Sequence, residues 1–193
     1  MAEGLMMNVT QPAALTTPAT AVRYDKVTIA LHWATAALVL LQFGLAELWD
    51  FFPRPARHDM IVLHMSFGMI LTAVILFRIL WRQHSGRALP PAGYGLLDRA
   101  AKAMHRAFYV LLPAEVALGF VTRWTDNQAL SFFGLQIPSP LGHFSRATGH
   151  FADQIHDYMA WTIIILAAIH AAAALAHHYL FKDDVLRRML PQG

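Results

Sequence analysis

The chain is expected to be an all-α membrane protein, a single bundle of four transmembrane helices, on three observations. Charged residues make up 14% of the 193 and hydrophobic residues 56%, whereas soluble domains carry about a quarter charged residues. Four segments each offer about 20 mostly apolar residues, the length a helix needs to cross the hydrocarbon core. Four histidines fall within or at the ends of those segments, at depths that pair.

Residues 1–22 are rich in Ala, Thr and Pro, and the first twenty hold no Lys or Arg. They lack the basic start and apolar run of a signal peptide, and a disordered tail is expected. The remainder, 23–193, reads as one transmembrane domain with few residues left over for a soluble one. The expected spans are 27–46, 60–80, 105–122 and 158–181. The third carries Pro113 and, just after it, Glu115. An acid at that depth either carries protons or bonds backbone freed by the proline, and the second role is the expectation. A long outer loop between spans three and four contains Trp124, Phe132, Phe133 and two prolines.

Lys and Arg set the orientation. Arg23, Lys26, Arg78, Arg82, Arg87, Arg99, Lys102, Arg106, Lys182, Arg187 and Arg188 fall on one side, and Arg54, Arg57, Arg123 and Arg146 on the other. Both termini are therefore expected in the cytoplasm, in agreement with an even number of spans, and a bacterial inner membrane is the expected location. The isoelectric point near 9.5 is a topology signal. The basic residues flank spans instead of forming one patch, so no nucleic-acid partner is expected.

Among eleven histidines, His32 (Ile29-Ala-Leu-His-Trp33) lies early in span one and His170 (Ala168-Ile-His-Ala-Ala172) late in span four, both toward the cytoplasm. His64 (Val62-Leu-His-Met-Ser66) lies early in span two, and His156 (Gln154-Ile-His-Asp-Tyr158) stands at the outer start of span four. His156 and His170 are fourteen residues apart, close to four turns, so they share a face roughly 21 Å apart along the axis. Any other pairing would require ligation across most of the membrane. Polar groups in hydrocarbon are costly and mostly functional; the plainer role for each is a hydrogen bond to a neighbouring helix.

Two ligands at each depth suit the axial positions of a planar macrocycle, whereas zinc draws three or four ligands to one point. With no cysteine in the chain, covalent haem attachment, iron–sulfur clusters and disulfides are excluded. The expectation is two non-covalent b haems with axial ligands His32 and His170 at one, His64 and His156 at the other. Gly44, Gly68 and Gly119 offer either flat surface for a porphyrin or ordinary helix packing. Iron with two histidines has no open position for oxygen, which favours outer-sphere electron transfer. The long outer loop is expected to cap the outer haem, its aromatics forming an interfacial belt.

Specific stretches resemble the prokaryotic cytochrome b561 family of small di-haem membrane proteins. The strongest likeness is His170-Ala-Ala-Ala-Ala-Leu-Ala-His-His-Tyr179, followed by Lys182-Asp-Asp-Val-Leu-Arg-Arg-Met-Leu-Pro191. Tyr24-Asp-Lys-Val-Thr-Ile-Ala-Leu-His-Trp33, Phe52-Pro-Arg54 and Leu63-His-Met-Ser66 are also similar to it. The resemblance covers Arg23 to the C-terminus and places the family's haem ligands on the same four histidines. It implies a superoxide oxidase, a superoxide:ubiquinone oxidoreductase carrying electrons from periplasmic superoxide to membrane ubiquinone. A related branch implies the alternative, a cytochrome b subunit that anchors and serves a hydrogenase or dehydrogenase, with a redox partner protein.

On the first implication ubiquinone binds near the cytoplasmic haem, where His105, His177 and His178 are candidates to bond its carbonyl and relay protons. His177 and His178 equally suit contacts to lipid headgroups or haem propionates. Arg78 suits a propionate or a headgroup. A basic outer funnel would help capture an anion. Yet Glu47, Asp50, Asp59, Asp126, Asp153 and Asp157 outnumber the four outer arginines, so only a local arginine cluster would steer superoxide.

Overall fold

A computed structural model describes residues 23–86, 89 and 95–191; the expected tail at 1–22 lies outside them. Four long helices carry the chain: α1 (Lys26–Leu48), α2 (Arg54–His84), α3 (Gly95–Thr125) and α4 (Arg146–Ala176). All four are long and apolar enough to cross a membrane. Between α3 and α4 stands a short antiparallel hairpin, β1 (Leu130–Phe132) and β2 (Leu135–Ile137), with Leu130 opposite Ile137.

Local chemistry sets the helix starts. Asp25 caps α1, accepting from the Thr28 backbone at 2.8 Å and the Thr28 hydroxyl at 2.6 Å. The same carboxylate accepts from the Trp81 indole at 3.0 Å, tying the start of α1 to the end of α2. Pro55 in the first turn of α2 has no N–H to leave unpaired there. Ser145 caps α4 by accepting from Thr148 N at 3.2 Å. That cap starts α4 at Arg146, twelve residues ahead of the expected 158, because the polar first turns project beyond the apolar span.

Helix α1 packs chiefly on α2 and α3 chiefly on α4, while α1 and α4 barely touch. The protein core is correspondingly slender, with Ile29, Leu71, Ile75 and Ile163 buried among the helices. Large side chains such as Leu40, Leu76, Ile165 and Ile169 face outward, as a bilayer solvent allows. No expected span is missing; each helix overruns its apolar stretch at one or both ends.

The outer loop is more ordered than a belt of interfacial aromatics. Phe133 and Gly134, with φ of 47° and 94°, make its tight turn. The hairpin is pinned to α2 by Ser66, whose fully buried hydroxyl accepts from Phe133 N at 2.8 Å and donates to the Val62 carbonyl at 2.6 Å. Phe133 also meets Phe67 edge-on at 5.9 Å. Trp124 belongs to α3, not to the loop.

At the opposite end, α4 runs into a single π turn, His177–Phe181, closed by Lys182 in the left-handed region. The chain then returns to α1, where the Trp33 indole donates to the Met189 carbonyl at 2.8 Å and Tyr24 N to the Arg188 carbonyl at 3.2 Å.

Candidate functional site

The helix pairing brings the four span histidines together in the two pairs expected from depth. The rings of His32 and His170 lie 6.3 Å apart between centroids, and those of His64 and His156 lie 6.4 Å apart. Two imidazoles on opposite sides of one metal, each nitrogen about 2 Å from it, put their centroids roughly 6 Å apart. Both pairs fit that spacing. Among the described residues no three His, Asp or Glu gather to hold a bare metal ion, so the pairs suit a macrocycle that fills its own equatorial positions.

The outer pair sits deeper than a helix start. His64 and His156 each follow the first residue of their helix by ten positions, about 15 Å of helix. The expectation that His156 opens the fourth helix is thus corrected; it lies three turns inside. His64 Nδ1 donates to the Gln42 carbonyl at 3.1 Å, and the Gln42 amide returns a bond to the His64 carbonyl at 2.8 Å. A carbonyl only accepts, so this contact fixes the tautomer and leaves Nε2 free as a ligand atom. His156 Nδ1 lies 3.0 Å from Glu115 Oε1, off the line of a good hydrogen bond, and has no other partner. Glu115 therefore does not bond backbone freed by Pro113, as expected from sequence; it faces a histidine.

Glycine supplies the room. A Cβ on Gly119 would stand 3.2 Å from the His156 ring, so that ring packs against α3 one turn beyond Glu115. A Cβ on Gly68 would stand 2.8 Å from the Gln42 amide nitrogen. Both glycines serve the packing of histidine or its partner.

The inner pair is set in a different environment. His105 of α3 stands 5.6 Å from the His170 ring and Phe108 stands 5.8 Å from it, while Trp33 meets His32 at 5.5 Å. Arg78 is half-buried over the Tyr109 ring at 5.8 Å. It lies within electrostatic reach of His32, His105 and His170. Beside Trp33 a cavity of about 310 Å³ is lined by Tyr24, Lys26, Ile29, Ala30 and Pro191.

Of the three residues expected at a quinone site, His105 alone joins the cluster around His32 and His170. His177 bonds Asp183 at 2.5 Å and packs on Phe181, and His178 packs on Tyr179; neither is in ring contact with His105 or His170. Burial alone would raise the Asp183 carboxyl, but the bond to His177, the Val185 N–H and the charge of Arg188 outweigh it and hold it below the usual range.

Two of the outer arginines have partners of their own. Arg57 pairs with Asp50 at 2.8 Å and Arg123 donates to the Ala129 carbonyl at 3.0 Å. Arg146 lines a cavity of about 290 Å³ together with Asp126 and Asp153.

A family model, prokaryotic cytochrome b561, matches residues 23–192. The chain belongs to the prokaryotic cytochrome b561 family. This cytochrome is a bacterial membrane electron-transfer protein, and membership implies b-type haem. It is 35% identical over 173 residues to cytochrome b561 homolog 2 of Escherichia coli, covering 87% of this chain and 91% of that one. It is 28% identical to a probable superoxide oxidase of Yersinia pestis, over 88% of this chain and 97% of the relative. A cytochrome b562 of Cereibacter sphaeroides is 29% identical over 86% and 94%.

Sequence reasoning missed Gln42 and the link between Glu115 and His156. A signal for the second was present: Glu115 and Gly119 are one turn apart on α3, an acid and a gap on one face.

Proposed function

We propose that this cytochrome is a superoxide:ubiquinone oxidoreductase of the bacterial inner membrane, with both termini in the cytoplasm. His64 with His156 and His32 with His170 would each hold one b haem, and two such groups would supply a relay for single electrons across the bilayer. The observation that carries this reading is the presence of two facing histidine pairs at two depths, each at axial spacing. The likeness to a probable superoxide oxidase supports the choice of donor.

The balance is two to one. Two superoxide ions each lose one electron and leave as dioxygen; one ubiquinone takes both electrons and two protons. At the outer end, the hairpin is held on α2 by Ser66. At the inner end, His105 stands against His170 and would donate to a quinone carbonyl. Asp183 accepts the Nδ1–H of His177, and this pair would lie on the proton path from the cytoplasmic side. His178, turned toward Tyr179, completes the candidate set at that interface.

The dispersed outer arginines favour a second reading, an electron-transfer and anchoring subunit of a hydrogenase or dehydrogenase, which receives electrons from a protein rather than an anion. Steady-state quinol formation separates the two. Purified protein supplied with enzymatically generated superoxide and a soluble ubiquinone is expected to form quinol, and added superoxide dismutase is expected to abolish it. Quinol formation that needs a co-purifying dehydrogenase and ignores superoxide would overturn the proposal.

A further inference from the structure

The two histidine pairs differ in the charges that stand behind them. Behind His156 is the side chain of Glu115, 3.0 Å from Nδ1 and largely buried, at 14% exposure. Its second oxygen and the His156 Nδ1 are both buried without a hydrogen-bond partner among the described residues. The other outer ring, His64, donates its Nδ1–H to the Gln42 carbonyl. Among the described residues no hydrogen bond is made to the ring of His32 or of His170, and the guanidinium of Arg78, over the Tyr109 ring, is within electrostatic reach of both.

A carboxylate behind the far nitrogen of a ligating imidazole makes that ligand more basic and favours the oxidised metal. A fixed cation near the other site favours the reduced one, and a low-dielectric interior strengthens both effects. Resting on the bis-histidine reading above, we propose that Glu115 is a positioning residue which, through His156, holds the outer haem at a lower reduction potential than the inner one. Arg78 raises the inner site from the opposite side. The fold thereby orders electron transfer inward, from the low-potential end to the high-potential end.

Anaerobic redox titration of the full-length protein, followed at the haem α-band, tests this without superoxide or quinone. Wild type is expected to titrate in two steps. His156→Ala is expected to keep the haem of higher potential, which assigns the lower step to the outer site. Glu115→Gln is expected to shift the reduction equilibrium of the lower step at least tenfold toward the reduced form, about 59 mV for one electron. The upper step should stay in place. Glu115→Asp restores the charge and should recover part of the wild-type value, a rescue that simple packing damage would not give. Arg78→Gln should lower the upper step.

The inference is overturned if the haem left in His156→Ala titrates at the lower wild-type potential, or if Glu115→Gln leaves the lower step unmoved. Should Glu115→Gln shed the outer haem, the His156→Ala assignment still decides the order. A protein with this order of potentials that ignores superoxide keeps the inference and loses the proposed donor; the converse result does the reverse.

Discussion

Gln42 and His64 hold each other in both directions across α1 and α2: the imidazole donates to the Gln42 carbonyl and the Gln42 amide donates to the His64 carbonyl. The second bond has a neighbour that makes it testable. A methyl group on Gly68 would stand 2.8 Å from the donating amide nitrogen and displace it.

Gly68→Ala should therefore cost the Gln42 amide its bond without touching His64 itself. The expected loss is about 0.5–1.5 kcal/mol, the net worth of one hydrogen bond, read as a lower Tm of the haem-loaded protein. Gln42→Ala should match it, and the double variant should be no worse than either single one. Additive losses would show that Gly68 acts elsewhere.

The histidines should behave as mates. His64→Ala and His156→Ala are expected to lose the same haem, and His32→Ala and His170→Ala the other. Haem content with low-temperature α-band spectra reads this directly, since each variant should retain one component. If His64→Ala and His170→Ala lost the same component, the pairing by depth would fail.

Ser66 binds the hairpin to α2. Ser66→Ala leaves the Phe133 N–H without its acceptor at a part-buried site. The expected cost is about 1–3 kcal/mol, with faster proteolysis between Leu130 and Ile137 as the local readout. Unchanged proteolysis would mean that Phe67 and Phe133 hold the hairpin by themselves.

The clasp of His177 with Asp183 carries a pH signature of known sign. Because the Asp183 carboxyl is held below its usual range in the folded state, its stabilisation is in place above the ordinary carboxylate value of about 4. It is lost as pH falls through the lower folded value. Asp183→Asn should lower Tm at neutral pH, and the gap to wild type should close on acidification. A gap constant across that range would assign the loss to packing.

Much of this fold was legible because a bilayer imposes length and apolarity on every span, and because a histidine in hydrocarbon stands out. The depths of His32, His64 and His170 follow from counting residues along such spans. The start of α4 was not legible: hydropathy marks where a helix meets lipid, while the Ser145 cap and polar turns extend it another twelve residues. Glu115 was misread for a related reason. Its partner lies on another helix, and the nearby proline offered a local explanation that needed no tertiary contact. The partners of Arg57 and Arg123 likewise depend on loop geometry that charge counting does not reach.

Rapid mixing of the oxidised, two-haem protein with superoxide, followed at the α-band, tests the central claim most directly. The account predicts reduction on the millisecond scale, then reoxidation when ubiquinone is present, with both phases lost in His156→Ala. Haems that stay oxidised in superoxide yet reduce with a quinol or a dehydrogenase would contradict it and make this cytochrome a carrier subunit.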